Sequence, residues 1–598
     1  MHDSVFEGAT VVDGSGAAPY TADVAVADGR IVEINRSGRI SGAARERIAA
    51  DGAWLTPGFV DIHTHYDGQA TWDETFSPSI HHGVTTLMMG NCGVGFAPNV
   101  PGREADLIAL MEGVEDIPGA ALAEGVKFNW QSFVQYMDVL DAMPHSLDFL
   151  VQVPHDPLRM AVMGDRARAQ QVATADDIAA MRTLLREALD AGAAGFSTGR
   201  TDNHRTARGH ETPSSEASAA ELECLASAFQ GLRHGVVQMV SDFDLLRGSE
   251  QFDSEFDLVE LLARTSGRPL SMTWLQRDPG GEQWKAMRAR VDAAVAQGLP
   301  LYLQTAARGI GVITGLDASF HPFMGFPGYK EVAQLPLAQR AAALRDPLRK
   351  ARILSEKSER LSGDGTAVPP LVDILLAQVE RISGRMFALA ADDPAPDYEP
   401  GVMQSFYVRA KQRGCSALEA LYDHFAEGDG SQLVYFPIFN YNQGDLSAVR
   451  EMLDHPRALL ALSDAGAHVG TVCDASFTTF MLTHWVQRRG EAGLSLPHAV
   501  HLLSARNADY LGLSDRGRIA PGLRADLNLI DPQRLAVGAP RLVRDLPAGG
   551  RRFLQRGQGY LGTWVAGQGV QHDGVLARRG PGGWCGWCGS GAECGIRA

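Results

Sequence analysis

Two histidines one residue apart, His63 and His65, close an apolar run (PGFVDIHTH), and Cys92 stands between Asn91 and Gly93 at the end of the next. Side chains on a strand alternate between faces, so His63 and His65 can aim both imidazoles at one point. Neutral imidazole and thiolate are both zinc ligands. Such a pair also occurs in polar rims that bind nothing; what favours a metal is that both motifs sit where a strand-like run stops. Asp464 ends a later apolar run (LLALSD), and His155 follows another (FLVQVPH). A divalent ion among these groups would acidify a bound water toward neutral pH. A carboxylate in reach can take the remaining proton and pass it to a leaving nitrogen, the role read for Asp464.

Other polar residues fall in the same neighbourhoods. His468, four residues after Asp464, either binds substrate or lines the loop. The segment STGRTDNHR brings Arg200, His204 and Arg205 together. Either arginine could clamp a substrate carboxylate in bidentate fashion, or remain a solvated loop residue. His81 and His82 are the counterexample, because they precede the strand that Cys92 follows. Six or seven residues at ~3.3 Å each put them about 20 Å from Cys92, too far to share its metal.

These residues converge only if the right elements carry them. Strand candidates at 58–62, 84–89, 148–153, 193–197, 236–241, 269–275, 299–304 and 459–463 alternate with helical segments. That alternation favours a parallel sheet, and eight units favour closure into a (β/α)8, TIM-like barrel of the α/β class. The carboxyl ends of all barrel strands open on one face, so His63, His65, Cys92, His155 and Asp464 would share it. One connecting helix is well marked, with Thr174 as N-cap, Asp176 and Asp177 in the first turn, an apolar stripe from Ile178 to Leu189, and Gly192 beyond the end.

Two connections, 90–147 and 305–458, are too long for simple crossovers and read as insertions. The second carries Phe320-His321-Pro322-Phe323 and Phe436-Pro437-Ile438-Phe439-Asn440-Tyr441, which suggests apolar walls and an apolar acyl or aromatic group on the ligand. Residues 4–35 show short alternating runs broken by turn signals, and the texture returns at 525–530 and 560–565, so the two chain ends are expected to fold together. The expected organisation is 1–56 and 515–572 as the two parts of a β-sandwich, 57–514 as the barrel, and 573–598 as a disordered tail. In that tail Cys585-x-x-Cys588 invites a zinc reading, but only Cys594 follows and no histidine is near.

Charge and composition restrict the partners. The chain has 54 basic and 71 acidic residues, a formal charge of −17 with no basic cluster, which argues against nucleic acid and gives no support for anionic lipid. No apolar stretch is long enough to span a bilayer, and the amino terminus lacks the features of a secretory signal. Cys92, Cys224, Cys415 and Cys473 are widely spaced singles rather than a disulfide framework, so the expected compartment is the cytoplasm. The oligomeric state is not legible.

The motifs VVDGSG, PGFVDIHTHYD, HGVTT, GNCGVGFAP, AAGFSTGR, SDAGAHVG and PGLRADLNLID span nearly the whole chain. Together they resemble the amidohydrolase superfamily, and within it the D-aminoacylase (N-acyl-D-amino-acid deacylase) group. The resemblance implies a metal-bearing (β/α)8 barrel with a β-sandwich made from both chain ends. It implies that His63 and His65 are strand-one ligands, that Cys92 matches the cysteine ligand of the D-aminoacylase group, and that Asp464 is ligand and general base. No lysine stands at the strand-four position that the hydantoinase-like branch carboxylates, where this chain reads AAGFSTGR.

The chain also departs from that group. D-aminoacylases supply a histidine from each of strands five and six, whereas here those strands read VVQMVSDFD and PLSMTWLQR. Asp242, Gln238, Gln276 or His155 would have to substitute if a second metal binds. The expectation is one firmly held divalent ion, zinc by its ligand types, at His63, His65 and Asp464 with Cys92 as fourth ligand. The group's substrate-carboxylate lysine is missing as well, with Arg277 or Arg308 as replacements and His155, Arg200, His204 and His468 as candidate substrate contacts. The leading expectation is a hydrolase of non-peptide carbon–nitrogen bonds acting on a small N-acylated amino acid, with D-configuration open. Hydrolysis of a cyclic amide, lactone or ester is the chemical alternative. A non-catalytic scaffold with a degenerate site is the alternative of another class.

Overall fold

The computed structural model describes residues 1–241, 243, 251–277, 281–363, 368, 370–390, 392–577 and 582–583. Its centre is an eight-stranded parallel sheet made of Phe59–Asp61, Val84–Met89, Asp148–Pro154, Gly195–Arg200, Val236–Ser241, Leu270–Thr273, Leu301–Thr305 and Ala458–Leu460, each strand beside its predecessor. All eight coincide with the strand candidates of the sequence. The sheet curls until its first and last strands approach. There Thr64 bridges Ala465, the His65 amide donates to the Ala465 carbonyl, and Asn507 Nδ2 donates to the carbonyls of Val60 and Leu460. The barrel seam therefore lies directly beneath His63, His65 and Asp464.

The connecting helix over Ala175–Asp190 begins as its sequence dictates. Thr174 accepts from the Asp177 amide while Asp177 reaches back to the Thr174 amide, a reciprocal cap. Its apolar stripe, with Met181, Leu185 and Leu189 fully buried, packs on the barrel.

The two ends of the chain form one nine-stranded sheet. Trp54–Pro57 is the join, pairing parallel with His2–Val11 on one side and antiparallel with Leu527–Ile530 on the other. Phe6, Val24, Leu55, Leu527 and Trp564 share the core of this sheet. The sheet continues through Val575–Leu576, beyond the expected end of the sandwich at 572, because that pair turns back onto Gln568–His572. Gly582 and Gly583 lie against the amino end of the third barrel strand, at His145, Asp148 and Phe149. Cys585, Cys588 and Cys594 lie outside the described residues.

The long insertion after the seventh strand carries its own three-stranded antiparallel sheet, Ile310–Thr314, Leu433–Phe439 and Phe387–Leu389, with a separate apolar cluster of helices behind it. The shorter one, after the second strand, supplies the helices Glu104–Glu115, Gly119–Gly125 and Phe133–Asp141. Among the described residues no helix is long and apolar enough to cross a membrane.

Candidate active site

His63 and His65 leave the first strand on the same side, as the alternation requires, and their ring centroids are 5.3 Å apart. His63 Nδ1 is 2.6 Å from Gln304 Oε1, whose amide nitrogen donates to Ser271 Oγ. An amide oxygen can only accept, so Nδ1 of His63 carries the proton and the Nε2 lone pair is left bare. That Nε2 lies 3.3 Å from Cys92 Sγ and 3.3 Å from Asp464 Oδ1. His65 Nε2 stands 3.8 Å from the same Asp464 oxygen.

Cys92 reaches this point through unusual backbone. Its φ is 59°, a left-handed conformation that costs about 1–3 kcal/mol for a non-glycine residue and recurs at functional sites. The turn is held from outside: the Cys92 amide donates to Gln238 Oε1 and the Gly93 amide to Ser197 Oγ. Gly199 lets the loop approach, because a Cβ there would stand 2.5 Å from the Cys92 carbonyl. Asp464 and His468 are also left-handed, at φ 45° and 47°.

Glu115, which the sequence reading overlooked, completes the cluster from the end of the helix Glu104–Glu115. Its carboxylate is 1% exposed, with Oε1 3.3 Å from His65 Nδ1 and Oε2 3.6 Å from His468 Nε2. Neither His65 Nδ1 nor Glu115 Oε1 meets hydrogen-bond geometry with any of the described residues, each other included. Burial, then Asp464 and Asp67, push the Glu115 pKa well above the carboxylate range. Burial, then the carboxylates of Glu115, Asp464 and Asp67, push the Cys92 thiol up in the same way. Burial lowers both His63 and His65, the direction that favours the neutral imidazole a metal requires.

This donor set fits a divalent cation. Among the described residues His63, His65 and Cys92 form a group whose ligand atoms lie within 4.8 Å of one another, with Asp464 in contact. A cation here would offset the crowded acids and stabilise the thiolate. The four groups open into a cavity of about 350 Å³, also lined by Glu115, His204, Arg277 and His468.

Several sequence expectations are corrected. His155 is fully buried but turned away from this cavity, with Nδ1 at Thr198 Oγ1 and Nε2 at Glu221 Oε1, an acid that also binds Arg159. Arg200 pairs bidentately with Glu255 rather than facing a ligand, and Arg205 pairs with Glu211. Glu255 lies far enough along the chain from Arg200 that no local motif announces the pair. Arg308 is buried against Asp474 and the Tyr398 ring, outside the cavity wall, whereas Arg277 lies on it. The proposed substitutes for a second metal are otherwise engaged. Gln238 holds the Cys92 turn and Gln276 holds Asn442 and Gln443. Asp242 lies outside the described residues. His82 bonds Thr479 and the Gln555 carbonyl, away from the cavity.

Comparison with known proteins agrees with this architecture. The amidohydrolase family model matches residues 46–368 and 409–571. A D-aminoacylase of Alcaligenes xylosoxydans xylosoxydans is 38% identical over 198 residues, 33% of this chain and 37% of that one. An uncharacterized Mycobacterium tuberculosis protein is 27% identical over 564 residues, 89% of this chain and 85% of its own length. Among solved structures, a D-aminoacylase described as defining a novel subset of amidohydrolases superposes with a TM-score of 0.62 at 23% identity, covering 97% of this chain and 99% of that one. An N-acyl-D-glutamate deacylase from Bordetella bronchiseptica, in complex with zinc and a phosphonate inhibitor, gives 0.61 at 24%, covering 97% and 98%. With its barrel, its two-ended sheet and a family match over most of its length, the chain belongs to the amidohydrolase family, hydrolases of carbon–nitrogen bonds other than peptide bonds.

Proposed function

We propose that this protein removes the acyl group from an N-acyl amino acid. The observation that carries the reading is the meeting of His63, His65, Cys92 and Asp464 at the barrel seam, on the floor of a cavity large enough for such a ligand. The D-aminoacylase and N-acyl-D-glutamate deacylase relatives support the bond type and leave the amino acid and its hand open.

A divalent ion, zinc by the thiol and imidazole ligand types, would be held by these four residues and would supply Lewis acidity toward the amide carbonyl and toward water. Gln304 fixes the His63 tautomer so that Nε2 faces the site. Glu115 Oε1 stands 3.3 Å from the outer nitrogen of His65. Asp464 takes a proton from the attacking water at Oδ2 and returns it to the leaving nitrogen. One ion per chain is expected, because Gln238, Gln276 and His155 are committed elsewhere.

Asp464→Asn tests the assignment. A 10²- to 10⁴-fold fall in kcat with metal still bound is expected, and an undiminished rate would remove Asp464 from the proton path.

A further inference from the structure

The roof of the cavity differs in kind from its floor. Along Ile310–Thr314, Ile310 and Val312 face the cavity while Ile313 enters the core. On the neighbouring strand Phe436 and Ile438 repeat the two-residue alternation, with Phe436 paired to Val312. The helix Pro370–Leu376 adds Val372, Leu375 and Leu376, spaced to share one face and half-buried beside the same space. Apart from Thr314 and His321, the polar lining is elsewhere. Thr201, Asn203, His204 and Arg277 come from the loops after barrel strands four and six, and Arg277 is the one lysine or arginine among the described lining residues. Burial lowers two of the lining histidines, His204 and His321, to about 3.

An N-acyl amino acid has two unlike ends on either side of its amide. The carboxylate end matches the polar rim, and among the described residues the roof offers an anion no lysine or arginine. We propose that the substrate's acyl group is a long saturated hydrocarbon chain, laid against the insertion sheet and the helix Pro370–Leu376, with the amide at the His63–Asp464 floor. This rests on the deacylase reading and names the class of acyl group that reading leaves open. It also excludes acyl groups that end in a second carboxylate.

Two measurements separate the proposal from the reading beneath it. In the first, kcat/KM of the metal-loaded protein is measured for acetyl, butyryl, octanoyl and dodecanoyl amides of glycine and of both enantiomers of leucine. In the second, calorimetry gives Kd for the free acids from acetate to dodecanoate, which need no turnover. Each buried methylene is expected to raise both kcat/KM and affinity about threefold to fourfold until the roof is covered. Val312→Asn and Leu375→Asn should flatten both slopes. Flat slopes for the native protein, or a preference that follows the amino-acid side chain and ignores the acyl length, would overturn the proposal while leaving deacylation intact. Graded binding of the acids with no hydrolysis of any amide would instead overturn the deacylase reading and keep the apolar site.

Discussion

At the scale of single residues, the orientation of His63 is set by Gln304, a group outside the cavity lining. Gln304 Oε1 binds His63 Nδ1, and without it the ring could adopt the other tautomer and present a proton where a lone pair is needed. Gln304→Leu keeps the side chain's bulk and removes that acceptor. Zinc affinity is then expected to fall about 10- to 100-fold, measured by competition with a chromophoric chelator at neutral pH; unchanged affinity would refute the positioning role. His63, His65, Cys92 and Asp464 were legible because each sits where an apolar run ends. Gln304 and Glu115 were not. One is a polar residue inside a strand and the other ends a helix in the insertion, so only the closed barrel reveals what they face. Arg200 was misread for the complementary reason, since its partner Glu255 lies on a later helix.

At the scale of elements, the alternation of strand and helix made all eight barrel strands legible, while the insertion sheet was not. One of its strands has only three residues, another follows Gly309 and the third contains Pro437, which blurs the period-two pattern. One contact that fastens that insertion to the barrel is a half-buried polar clamp. Glu399 accepts from the Leu446 amide, stands 2.9 Å from His484 Nε2 and pairs with Arg489. Burial alone would raise its pKa, but the contacts with His484 and Arg489 outweigh burial and hold it at about 2. A carboxylate depressed in this way stabilises the fold above its unfolded pKa of about 4.3 and loses that contribution as pH falls through about 2. Glu399→Gln is therefore expected to cost about 1–2 kcal/mol at pH 7, and its deficit against the native protein should narrow between pH 4 and 2. Urea unfolding of both proteins across that range checks the sign. A deficit independent of pH would show that Glu399 acts by shape alone.

At the scale of the whole molecule, the chain returns to its beginning. Leu527–Ile530 pairs with Trp54–Pro57, the strand that leads directly into Phe59–Asp61 and so into His63. Buried Arg516 and half-buried Arg524 reach from the returning segment to Asp148 at the foot of the third barrel strand. The carboxyl-terminal segment thus buttresses the barrel from the face opposite the cavity. This joining of the ends was legible from the repeated strand texture, and the long insertion's aromatic segments foretold an apolar wall. The course of that wall over the site was not, because it depends on contacts between residues more than a hundred positions apart.

The central claim is that His63, His65, Cys92 and Asp464 form one metal site. The most direct measurement is the metal content of the full chain after dialysis at neutral pH, by elemental analysis, for the native protein and for His63→Ala/His65→Ala. One divalent ion per native chain and none in the folded double variant is the expected result. A native protein that retains no metal, or a double variant that retains a full equivalent, would contradict the account.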